Sequence, residues 1–148
     1  MARMSQNTEV DNMGRVNWME RAKEVACRYR INCRELQALR YAAQPASCPV
    51  RSGRIPKPTE DEVMRRYASA RQTRLEQETE AVEFAIAMVR RKKQGDLTER
   101  LWEMVYRDQT HYLKGAALEL GIPERTAVRY SGYFLKNIAF AMGYISTF

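Results

Sequence analysis

The chain is 148 residues long, the size of one ordinary domain or two very small ones. Its hydrophobic fraction of 45% and charged fraction of 29% are those of a globular protein, which excludes the fibrous and fully disordered classes. A formal charge of +7 favours a polyanionic partner, because cations that neutralise phosphates release condensed counterions.

From the N-terminus, Ala22, Val25, Ala26, Tyr29, Cys33, Leu36 and Leu39 recur every three or four residues, so Asn17 to about Arg40 is expected to form an amphipathic helix. Cys33 lies on its apolar face and is expected to be a packed thiol. Pro45, Pro49, Pro56 and Pro58, with Ser47, Ser52 and Gly53 among them, mark a loop or linker. Residues 1–58 hold 11 basic against 5 acidic residues and read as a basic helix plus this linker.

Thr59 stands three residues before Glu62, the spacing of a capping box, and Glu60 and Asp61 suit a helix N-terminal dipole. No proline or glycine interrupts Thr59 to Gln94, so residues 59–95 are expected to hold one long helix. Leu75, Val82 and Val89 repeat every seven residues, with Thr79 and Ile86 between them, giving a narrow coiled-coil-like stripe. This stripe suits either packing on the first helix or a seam for self-association. The helix runs into Arg90, Arg91, Lys92 and Lys93 just before Gly95, which suits a helix C-terminus and its cap. The same four cations also suit contact with phosphate.

Asp96 and Glu99 repeat the capping spacing, and Leu97, Leu101, Trp102, Val105 and Tyr106 give a third helix its apolar face. No segment alternates with period two, so the fold class is all-α: long amphipathic helices followed by a C-terminal helix-turn-helix in residues 96–148.

Residues Leu113 to Tyr130 carry the most specific pattern. A helix-turn-helix needs small residues where its helices cross, a glycine at the turn and apolar anchors that clamp the second helix. Ala116 and Ala117 are the small residues, Gly121 the turn, and Leu120, Ile122, Ala127 and Tyr130 the anchors. With a second helix starting near Pro123, the exposed face carries Glu124, Arg125, Val128 and Arg129, with Tyr133 and Lys136 farther along. In the major groove, N-terminal residues of such a helix lie nearest the bases, and arginine is the usual bidentate reader of guanine. Glu124 suits acceptance from cytosine or a first-turn dipole role, and Lys114 and Thr126 suit phosphate contacts. Acidic residues are absent after Glu124, so this helix is locally cationic, although residues 97–148 hold 6 basic against 5 acidic residues.

The runs Leu101-Trp-Glu-Met-Val-Tyr106 and Ala116-Ala-Leu-Glu-Leu-Gly-Ile-Pro-Glu-Arg-Thr-Ala-Val-Arg-Tyr130 resemble the sigma-factor-like helix-turn-helix of phage late-gene transcriptional regulators, the RinA-like and ArpU-like group. The upstream order of a short helix, a loop and a long charged helix is similar to their N-terminal layout. The resemblance implies sequence-specific binding of double-stranded DNA, activation of phage or prophage genes in a bacterial host cell, and DNA contacts at Arg125, Thr126 and Arg129. RNA polymerase is a candidate second partner, and a homodimer or higher homo-oligomer a candidate assembly. Two positions depart from the family pattern. Pro123 stands where members usually carry serine or threonine, and Gly132 falls inside the reading helix.

Two other functions fit the same pattern: a phage terminase small subunit, which recognises DNA for packaging, and a coiled-coil adaptor that binds only protein. Catalysis is not expected. His111 is the only histidine and has no nucleophile motif around it, and no glycine-rich phosphate loop, H-E-x-x-H or paired C-x-x-C occurs. Cys27, Cys33 and Cys48 are odd in number and spaced neither as a disulfide framework nor as a zinc site, so reduced thiols and no metal or cofactor are expected. The longest charge-free run, Asn137 to Phe148, is shorter than the ~20 apolar residues of a bilayer span, and no basic-then-apolar signal opens the chain. A cytoplasmic location without membrane association is therefore expected.

Overall fold

A computed structural model describes residues 2–42 and 58–146. The proline-rich linker between Pro45 and Pro56, and Cys48 within it, lie outside the described residues. The order is α1 (Ala2–Ala42), α2 (Pro58–Arg90), α3 (Gly95–Trp102), a π-helical turn (Glu103–Arg107), α4 (Leu113–Leu120) and α5 (Glu124–Ala141). Among the described residues there is no strand, and the fold is all-α. Among them, too, no helix is long and apolar enough to cross a membrane.

The helix bounds depart from the expected ones for identifiable reasons. α1 begins 15 residues ahead of Asn17, because an apolar stripe marks where a helix is buried and not where it starts. α2 opens on Pro58, whose fixed φ suits a first helical position, so Thr59 falls inside the first turn and not at the cap. α2 ends at Arg90, four residues short of Gln94. The amide of Lys92 donates to the Val89 carbonyl and that of Gly95 to Lys92, each at 3.0 Å, which turns the chain sharply. Gly95 consequently opens α3 instead of capping α2. A Cβ there would stand 2.4 Å from the Val89 carbonyl oxygen, so glycine is required by close approach of backbone to backbone. The N-cap of α3 is Gln94, without a side-chain cap, and Asp96 lies in the first turn. Glu99, expected in a capping box with Asp96, instead accepts from Arg90 at 2.7 Å and 3.2 Å. That bidentate pair holds the Glu99 carboxyl below the ordinary glutamate range.

α1 and α2 form an antiparallel hairpin. Its polar tie is Glu78, whose side chain is 6% exposed and accepts from Asn32 at 2.6 Å and from Arg28 at 2.9 Å. Two partners satisfy a carboxylate that would be costly to bury alone. Arg71 pairs with Glu35 farther toward the linker. The seven-residue stripe of α2 is spent inside the chain: Leu75, Thr79, Val82, Ile86 and Val89 are all buried. It faces α1 and α5, so the stripe is used in packing within the chain.

The main core gathers Val25 and Ala26 of α1, Val82, Ala85 and Val89 of α2, and Phe134, Leu135 and Ile138 of α5. Trp102 and Tyr106 close it from α3 and the π turn, and Tyr29 meets Trp102 edge-on with ring centroids 5.5 Å apart. Cys33, expected as a packed thiol, is only partly buried and lines a surface cleft, whereas Cys27 packs against this core and its thiol is pushed up by burial; neither is in a disulfide. Residues 62–74 of α2 are exposed throughout.

Candidate nucleic-acid interface

α4 and α5 are joined by a three-residue turn in which each residue has a distinct role. Gly121 adopts φ +69°, the left-handed conformation that costs side-chain-bearing residues most, and it caps α4. The amide of Ile122 then reaches back to the Ala117 carbonyl at 3.0 Å, the six-to-one bond of a Schellman ending. Pro123 occupies the N-cap of α5 in an extended conformation, without a side-chain cap, and its carbonyl accepts from the Ala127 amide at 3.0 Å.

Behind the turn lies a small second core of Leu101, Met104, Ala116, Ala117 and Ala127, covered by Leu113, Leu120, Ile122 and Tyr130. All the small residues and anchors named from the sequence therefore meet in one cluster. Ala116 and Ala117 are 0% and 2% exposed, so nothing larger fits where α4 crosses its neighbours. A hydrogen bond of 2.6 Å between the buried hydroxyls of Tyr106 and Ser131 fixes the π turn to α5. His111 precedes α4, bonds to Thr110 at 2.8 Å through Nδ1 and pairs through Nε2 with Glu119, which ties the connection to the helix.

The opposite side of α5 is open. Glu124, Arg125, Val128 and Arg129 are exposed, as is Lys114 at the start of α4, and Thr126 is half-buried. Among the described residues no carboxylate pairs with Lys114, Arg125 or Arg129. The Arg129 guanidinium lies 5.6 Å from the centre of the adjacent Tyr130 ring. Two residues differ from expectation. Tyr133 is not on the open face but half-buried, packed on the main core, with Lys92 Nζ 3.7 Å from its ring centre. Lys136 is half-buried one turn farther on. The helical period explains both: Tyr133 lies three residues after the anchor Tyr130 and four before buried Asn137, and Lys136 lies three before buried Ala139, so both turn toward the packed side.

The fold adds something that the sequence kept apart. The turn after α2 brings Lys92 and Lys93 beside Arg129, Tyr130 and Tyr133 around a cleft of about 370 Å³, with Val89 at its base and Gln94 and Thr98 on its wall. Among the described residues no carboxylate lines it. The four-cation run before Gly95 is visible in the sequence, but its proximity to α5 depends on a contact between residues about 40 positions apart. Arg90, the first of the run, is engaged with Glu99 and does not join the cleft.

Comparison with protein-family models, with curated proteins and with solved structures finds no match.

Proposed function

We propose that this chain is a sequence-specific double-stranded DNA-binding protein that regulates transcription of phage or prophage genes, laying α5 in the major groove. The observation that carries this reading is the outward face of α5. Arg125 and Arg129 stand one turn apart, exposed and without carboxylate partners among the described residues, on a helix whose other face is anchored in two cores. Such guanidiniums on a rigid helix suit bidentate recognition of guanine, and the exposed Val128 between them suits a thymine methyl. Lys114 and Thr126 flank that face as phosphate donors, and Glu124 complements the helix N-terminus. The resemblance to phage late-gene regulators agrees with this assignment.

Selection of bound duplexes from a random pool tests it. A recurrent sequence is expected to emerge, and Arg125→Ala and Arg129→Ala are each expected to cost about 1–3 kcal/mol of discrimination at one base position. Variants that bind every duplex as the parent does would overturn the assignment. Solution mass separates regulation from packaging, since a large closed ring is the terminase outcome and a monomer or dimer the regulator outcome.

A further inference from the structure

The cleft between the α2–α3 turn and α5 is not needed for base reading, yet it is the place where cations from two distant segments converge. Lys92 and Lys93 come from the turn and Arg129 from α5. Tyr130 and Tyr133 line the cleft between them.

Its parts are held in place. Gly95 lets the backbone of the turn pack directly on the last turn of α2, so the lysines leave from a fixed point. The Lys92 ammonium rests on the face of Tyr133, an attraction that positions a side chain otherwise free to sweep through solvent. The nearby acid Glu99, which could have quenched the site, is occupied by Arg90. What remains is a concave, cationic cleft, and Arg129 belongs both to it and to the exposed face of α5.

We infer that this cleft clamps the DNA sugar-phosphate backbone beside the base pairs that α5 faces, so that Lys92 and Lys93 set the position of the duplex while Arg125 and Arg129 read it. This rests on the function proposed above and extends the interface to a second element. Charge complementarity names the occupant. A lysine is a compact point charge suited to phosphate, carrying no base information, whereas arginine's planar fork suits a base edge. Because Arg129 is shared, a duplex lying on α5 runs its strand across the mouth of the cleft.

The test is duplex binding by the full chain across a range of salt concentrations, for the parent, Lys92→Gln/Lys93→Gln and Arg91→Gln. Arg91 is exposed in the same turn but does not line the cleft, so it reports the effect of charge alone. The double variant is expected to weaken binding to all sequences alike. The slope of log affinity against log salt should fall by about 1.8, roughly 0.9 for each phosphate no longer neutralised, with the selected sequence unchanged. Arg91→Gln should lower the slope by less than the share of a single phosphate. An unchanged slope in a double variant that melts like the parent, or an altered sequence preference, would overturn the clamp while leaving DNA binding intact. A parent that binds no duplex even at low salt would overturn the functional reading, and the clamp with it.

Discussion

Tyr29 shows how a single side chain couples packing to solution conditions. Its ring is wedged against Trp102, and burial pushes its phenol up to about 12, with Cys33 and Glu83 adding to the rise. An unfolded tyrosine titrates near 10, so the folded state favours the neutral phenol. The stability this contributes is fully present below about pH 10 and is lost as pH rises from about 10 towards about 12. Tyr29→Phe keeps the edge contact and removes the titration. Its denaturation midpoint, followed from about pH 8 to about pH 11, should therefore fall differently from the parent's, tracing the missing phenol. Identical alkaline limbs would show that Tyr29 does not resist ionisation. Burial also pushes the Tyr106 phenol up, although its bond to Ser131 works against the rise, so the variant should retain part of the alkaline dependence.

Among the helices, burial was easier to read than boundaries. The stripe from Leu75 to Val89 and the small cluster behind Gly121 follow from spacing alone, because a period of 3.6 residues fixes which side chains share a face. The ends of α2 and α3 did not follow, since Gly95 signals a C-cap equally well as a close backbone crossing, and only the crossing occurs. The capping spacing of Asp96 and Glu99 misled for a related reason: Arg90, nine residues from Glu99, competes for that carboxylate. Gly132 is a contrasting glycine. It lies in the middle of α5, and a Cβ there would meet nothing within 4 Å. Replacing it with alanine should favour the helix by up to ~1 kcal/mol and raise the melting temperature by roughly 2–4 °C. Calorimetry of Gly132→Ala checks this, and an unchanged midpoint would mean that the middle of α5 owes nothing to helix propensity. If the gain in stability came with weaker duplex binding, Gly132 would mark where the partner approaches the helix most closely.

At the scale of the whole chain, α5 shares its core with α1 and α2. The sequence divides naturally at the linker and at Gly95, and residues 96–148 carry every feature of the α4–α5 pair. Even so, the inner face of α5 is covered by other segments: Phe134, Leu135 and Ile138 pack with Val25 and Ala26 of α1 and with Val82 and Val89 of α2. Spacing within α5 shows that this face is apolar but not what covers it, since the covering residues come from helices separated by the linker. A fragment of residues 96–148 would retain the small cluster around Ala116 and Ala127 and the contacts of Trp102 and Tyr106 with Phe134, but would lose every α1 and α2 residue of the main core and so uncover much of that apolar surface. It is expected to show helical circular dichroism but a broad, non-cooperative melt and dye-binding apolar surface, whereas the full chain should unfold in one sharp transition. A sharp melt of the fragment would show that the smaller core suffices. Failure of the fragment to fold would place the stability of α5 in α1 and α2, so that, on the function proposed above, the buried-core changes Val25→Ala and Val82→Ala would weaken duplex binding by loosening the helix that carries the exposed arginines.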